Sequence, residues 1–198
     1  MDVESSKKAC ALVRVFKTHP YGELDPEAQG FARRMLGEQS GASATVKCLT
    51  LLATAGEKPE WNSRTQSVGH QAIPLASEQM VIQAPMISNL ITQLGLSIST
   101  VLEPNSGLLL DKEQRTYNVF HVSEASGSSY IPAQEEFVIP FGIKSVLGFG
   151  GMLPSGNLFA VIMFSKVHIP RETAELFKPL ALSAKVTLLP FDGGAVFA

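Results

Sequence analysis

Cysteine is scarce in this chain of 198 residues: Cys10 and Cys48 are the only two, and they form no Cys-x-x-Cys pair. A disulfide framework and the usual thiolate zinc sites are thereby excluded. An excess of charge of one sign is lacking as well, since 16 lysines and arginines face 18 aspartates and glutamates. Neutralising a phosphate backbone needs a basic surplus, so no nucleic-acid partner is expected. No apolar run reaches the ~18–20 residues of a membrane span. Arg14, Lys17 and His19 interrupt the apolar stretch nearest the start, so no signal core is expected there. What the chain does have is apolar content, 45% hydrophobic against 17% charged. That composition excludes a disordered protein and suits one domain with its own core. The expected setting is reduced and cytoplasmic.

Local patterns divide the chain. Leu12, Val13, Val15 and Phe16 form an apolar cluster that reads as a short helix over Ala9–Phe16, closed by His19-Pro20-Tyr21-Gly22. A second helix is signalled by Asp25 as N-cap, Pro26 at the first helical position and Gly37 as the stop. Residues 1–45 are therefore expected to be an N-terminal helical segment. Val46–Ala53 reads as a strand, Gly56–Gly69 as a polar loop, and His70–Leu75 as a short extended piece. Ser77 caps a helix in which Pro85 predicts a kink or a break into two. Leu96–Leu102 and Thr116–Val122 read as strands around a Pro104–Gly107 turn, and Glu124–Pro140 as loop. Ile143–Gly150 and Leu158–Ser165 flank a proline-glycine turn and form the clearest hairpin. The second of these strands is apolar on both faces and belongs in mid-sheet. Gly148, Gly150 and Gly151 suggest a bulge or a close backbone approach to a ligand. A helix with Pro179 inside it is expected over Pro170–Leu189, and residues 190–198 should fray. Strand runs with helices mostly at the ends indicate an α+β fold.

Chemistry-bearing residues are few. The four histidines, His19, His70, His121 and His168, have no ligand spacing between them, so no metal site is expected. There is no Gly-x-Ser-x-Gly elbow, P-loop or Gly-x-Gly-x-x-Gly, so no catalytic residue is assigned. His70 and His121 sit on extended segments beside apolar residues and are the histidines suited to a pocket. Trp61, with Arg64 three residues on, could supply a stacking wall and an anion contact, and Tyr130 and Phe137 add aromatic surface. These six residues are the candidate ligand-binding set. Trp61 reads equally well as a plug for the open end of the core.

The C-terminal third carries a resemblance. Gly142–Ser145 (GIKS), Ala160–Ser165 (AVIMFS) and Glu172–Ala181 (ETAELFKPLA) resemble the motifs in the second half of a GAF-type sensor domain. The stretches CLTLLATAGEKPEWNSRTQSVGHQAIPL and RTYNVFHVSEASGSSYIPAQEEFVIPFGIKSVLGFGG are similar to N-terminal input modules of bacterial two-component sensor histidine kinases. The resemblance spans Val46–Leu189. It implies a twisted antiparallel sheet of about six strands, with terminal helices on one face and long loops over a pocket on the other. It also implies a homodimer through those helices, a small-molecule ligand or redox signal, and a signalling output domain reached through the last helix. The family's cyclic-nucleotide signature, its bilin-bearing cysteine and the loop cysteines of its methionine sulfoxide reductases are all absent here. Haem would have only His70 or His121 to hold it, and the cofactor is left unassigned. Two other readings stay open: a small enzyme using a histidine of the same pocket, and a dimerisation scaffold with no ligand.

Overall fold

The computed structural model describes residues 8–37, 43–67, 69–103 and 118–193. Six antiparallel strands form one sheet: β1 (Cys10–Pro20), β2 (Lys47–Gly56), β3 (Ala72–Pro74), β4 (Val119–Val122), β5 (Ser145–Met152) and β6 (Leu158–Ser165). Their order across the sheet is β3-β2-β1-β6-β5-β4. The α+β class is as expected, but the first element is not. The segment that reads as a helix over Ala9–Phe16 is β1, hydrogen-bonded to β2 on one side and β6 on the other. Its apolar cluster satisfies both periodicities over so few residues, and long-range pairing decided between them. Residues 10–20 are thus an inner strand of the sheet, and no separate helical segment precedes it among the described residues.

The Asp25 cap holds as expected. Its carboxylate accepts from the Ala28 N–H at 2.8 Å, and α1 (Pro26–Leu36) ends at Gly37 with φ +83°. Pro85 breaks its helix in two, giving α2 (Glu78–Ile82) and α3 (Pro85–Gln93). The expected strand over Leu96–Leu102 is instead helical. Ser97 accepts from the Thr100 N–H at 3.2 Å and starts α4 (Ile98–Leu102), a capping interaction that outweighs the β propensity of its branched residues. The expected Pro104–Gly107 turn lies outside the described residues. The last helix is also divided, into α5 (Arg171–Glu175) and α6 (Lys178–Leu188), with Pro179 in the first turn of α6, where it costs no hydrogen bond. The chain after it does not fray at once. Leu189–Phe191 form a 3₁₀ turn, and Asp192 accepts from Ser155 N–H (3.0 Å) and Oγ–H (2.6 Å).

β6 lies in mid-sheet, with Val161 opposite Val15 on one side and Phe149 on the other. One face of the sheet packs on α5 and α6 through Val119, Leu147, Phe149, Val161, Ala174 and Ala181. The opposite face, with Phe120, Val146, Ala160, Ile162 and Phe164, packs on α2, α3 and α4. A fully buried phenylalanine such as Phe120 contributes roughly 1.5–3 kcal/mol by leaving water. The glycines of β5 meet neither of the expected explanations. The β5–β6 register runs unbroken past them, and a Cβ on Gly150 would overlap the carbonyl of Phe159, so the close approach is to the neighbouring strand.

Candidate binding cavity

The face of the sheet that carries α2 and α3 also holds a cavity of about 500 Å³. Known small-molecule sites span ~300–1,000 Å³. Strand alternation builds its floor: Leu12, Arg14 and Phe16 of β1 point into it, as do Leu49, Ile73, Ile162 and Phe164. Ala84, Met86, Ile87 and Leu90 close one wall, and Ile131, Ala133, Phe137 and Phe141 another. The walls are largely aliphatic and aromatic.

Trp61 is carried by a 3₁₀ turn over Pro59–Asn62. Asn62 holds that turn, accepting from the Gly56 N–H at 2.9 Å and donating to the Lys58 carbonyl at 2.9 Å. The Thr54 hydroxyl donates to the Trp61 carbonyl at 2.9 Å. The indole meets Phe141 with ring centres 4.6 Å apart and Phe137 at 5.5 Å, both edge-on. Phe137 in turn stands perpendicular to Phe164 at 4.9 Å. Edge-to-face contacts of this kind stabilise beyond simple burial. Phe137 is placed by a single π-turn over Gln134–Val138. The Gln134 side chain pins the surrounding loop, donating to the carbonyls of Ile131 (2.7 Å) and Ala125 (3.0 Å) and accepting from Gly127 N–H (2.9 Å). The Trp61 ring is therefore both wall and plug: it lines the cavity while packing on the core.

Of the six candidate residues, Trp61, His70 and Phe137 line this cavity together. His70 stands at its mouth in a left-handed backbone conformation, φ +58°, which side-chain-bearing residues rarely adopt. Crowding by the walls and the positive charge of Arg14 hold its imidazole below the ordinary pKa, though much of the residue surface remains open to water. No carboxylate or hydroxyl hydrogen-bonds the His70 ring among the described residues. Arg64 is elsewhere, its Nη1 2.9 Å from the Asp25 carboxylate, tying the loop to the start of α1. His121 lies on the opposite face, where Nε2 sits 2.7 Å from the Ile169 carbonyl. Tyr130 is exposed and does not line the cavity. Strand alternation decided against His121: on the edge strand β4 it points to the side of its β5 partner Leu147, which packs on α5 and α6.

The residue that the sequence reading passed over is Arg14. It lines the cavity, its Nη2 donates to Ser67 Oγ at 2.8 Å, and its Nε is shielded from water with no partner among the described residues. Burial pulls its pKa down with no opposing acid. A buried donor left unpaired costs about 1–3 kcal/mol. The signal was present as one arginine inside an apolar run, and it was lost because that run read as a helix. The charged groups at the rim are different in kind: Lys58 and Glu60 form a pair at 3.7 Å, both well exposed, and Glu136 is exposed.

Among the described residues, no group of three or more His, Cys, Asp or Glu side chains is placed to hold a metal. The Cys48 thiol is fully buried and pushed up to about 12, an inert packing group. No helix among the described residues is long and apolar enough to cross a membrane. The arrangement offers apolar contact around one half-buried guanidinium. Comparison of the chain with known protein families, with curated proteins and with solved structures finds no match.

Proposed function

We propose that this chain is a sensory or regulatory module of the GAF type, which binds a small molecule in the cavity and passes the change to an output domain through α6. The reading places it in the cytoplasm, as the input half of a two-component system. The observation that carries it is the two-sidedness of β1. Arg14 faces the cavity, while Lys17, three residues on, faces the other side and holds Asp192 beyond α6. A β-bulge lies between them, where the pairing with β2 shifts after Val15. A ligand that moves β1 on one face therefore has a short mechanical route to the chain's last turn on the other. Transmission requires that the ligand bind two arrangements with different affinity. The six-stranded antiparallel sheet, with its cavity and its last helix on opposite faces, supports the family reading drawn from the GIKS and AVIMFS motifs.

The homodimer belongs to the same proposal. Leu176, Leu180, Leu182, Val186, Leu189 and Phe191 are exposed along α5, α6 and the turn after them, an apolar run that a second copy would cover.

Native mass spectrometry of freshly purified protein, with its absorption spectrum, tests the reading. The expected result is a bound small molecule that Ala84→Trp, which fills the cavity, removes. Returning that molecule to stripped protein should change amide hydrogen exchange over 189–193. Exchange there that ignores an occupied cavity would overturn the sensory reading and leave a binding protein.

A further inference from the structure

Resting on the cavity's being a ligand site, we infer that its ligand is a small monocarboxylate with an apolar body, the carboxylate seated on Arg14 and the body among Leu49, Leu90, Ile162 and Phe164. Arg14 is the charged group of the cavity floor, and it comes with unfilled donor capacity. Only Ser67 engages its guanidinium among the described residues, and Nε, shielded from water, has no partner. A guanidinium presents paired N–H groups that match the two oxygens of a carboxylate, and the pairing strengthens where water is excluded. A cationic ligand would place like charge against Arg14. A neutral one with an oxygen acceptor would satisfy Nε but leave the guanidinium charge without a counter-ion.

A single negative charge fits better than two. A dianion such as a phosphate ester calls for a cluster of cations, whereas His70, the titratable neighbour at the mouth, is held towards its neutral form by desolvation and, second to that, by the charge of Arg14. Glu60 and Glu136 at the rim would repel further negative charge, and Lys58 is already engaged with Glu60. The rest of the lining is aliphatic and aromatic, which selects for a hydrocarbon body over a sugar or a nucleobase.

Trp61 is the only tryptophan of the chain and lines the cavity, so its fluorescence reports occupancy directly. The full chain is titrated with three probes of matched length, decanoate, decanol and decylamine, each below its aggregation concentration, and the affinities are repeated by calorimetry. Decanoate is expected to bind about tenfold or more tighter than decanol, with decylamine weakest. Arg14→Gln should close the gap between decanoate and decanol, and Arg14→Lys should keep part of it. If Arg14→Gln does not fold, the order of the three probes on the unaltered chain decides alone. Equal binding of all three overturns the carboxylate assignment while the cavity stands as a ligand site. Failure of all three, with a different molecule found by mass spectrometry and expelled by Ala84→Trp, overturns the assignment and keeps the site. Failure of all three in a chain that purifies empty takes both down.

Discussion

Lys17 and Asp192 meet across most of the chain's length: Lys17 Nζ donates to the Asp192 main-chain carbonyl at 3.1 Å and lies 3.6 Å from its carboxylate. Lys17 is only 4% exposed, so its charge has little water to fall back on. Desolvation lowers its pKa, and Asp192 opposes that shift. The pair fastens the turn after α6 to the middle of the sheet.

Asp192→Ala should therefore destabilise the chain by about 3 kcal/mol, because it removes the carboxylate beside a buried ammonium and leaves that charge with a main-chain carbonyl in place of a counter-ion. Lys17→Met added to it should restore much of the loss, since an apolar side chain of similar length needs no partner. Urea denaturation of the two single variants and the double variant closes the cycle. Additive losses would show that the two residues act independently.

His19, on the same face as Lys17, makes stability depend on pH. It is 2% exposed, its Nε2 is buried with no partner among the described residues, and burial with the nearby Lys17 charge brings its pKa down to about 4. Asp192 pulls the other way but less strongly. The unfolded chain, with histidine near 6.5, binds this proton first, so stability is complete above pH 6.5 and is lost as pH falls towards 4. The loss is on the order of 3 kcal/mol. His19→Leu should flatten that part of the curve, and thermal unfolding of both proteins between pH 7 and pH 4 measures the difference. Carboxylates titrate in both alike and cancel in the comparison.

Gly150 and Gly142 should respond differently to alanine. At Gly150 the new Cβ would overlap the Phe159 carbonyl of the adjacent strand, so the hairpin must part and the cost should exceed about 2 kcal/mol. At Gly142 nothing lies within 4 Å, but φ is +62°, so only the backbone penalty of about 1 kcal/mol applies. Denaturation midpoints of the two variants give the ranking.

The exposed apolar face of α6 provides the test of self-association. Leu182, Val186 and Leu189 recur at helical spacing on the surface. Light scattering on the full chain should report a dimer, and Leu182→Lys with Val186→Glu should yield a monomer whose stability changes by less than about 0.5 kcal/mol. A monomeric unaltered chain would remove the dimer from the proposal.

Much of the fold was legible in particular residues. Asp25, Pro26 and Gly37 marked α1, and Pro85 divided α2 from α3. The Pro154–Gly156 turn with its apolar flanks marked β5 and β6. These signals are local: a cap, a missing N–H and a turn act within a few residues. The site was half legible. Trp61 and Phe137 announced themselves as aromatics in polar loops, but Arg64 and His121 were equally good candidates until the chain folded. Arg64 was claimed by Asp25, 39 positions away, and His121 turned to the helices by the alternation of its strand.

The sequence by itself determined the α+β class, the hairpin that centres the sheet, the helix boundaries set by caps and prolines, and an apolar composition sufficient for one core. Only the tertiary structure decided that Cys10–Pro20 is an inner strand, that Arg14 faces a cavity while Lys17 faces the chain's end, and that Asp192 is held in place. The reason is physical. Caps and turns are paid for within one stretch of chain, whereas the state of a short apolar segment and the side of the sheet its charges occupy depend on which distant strands take up its hydrogen bonds.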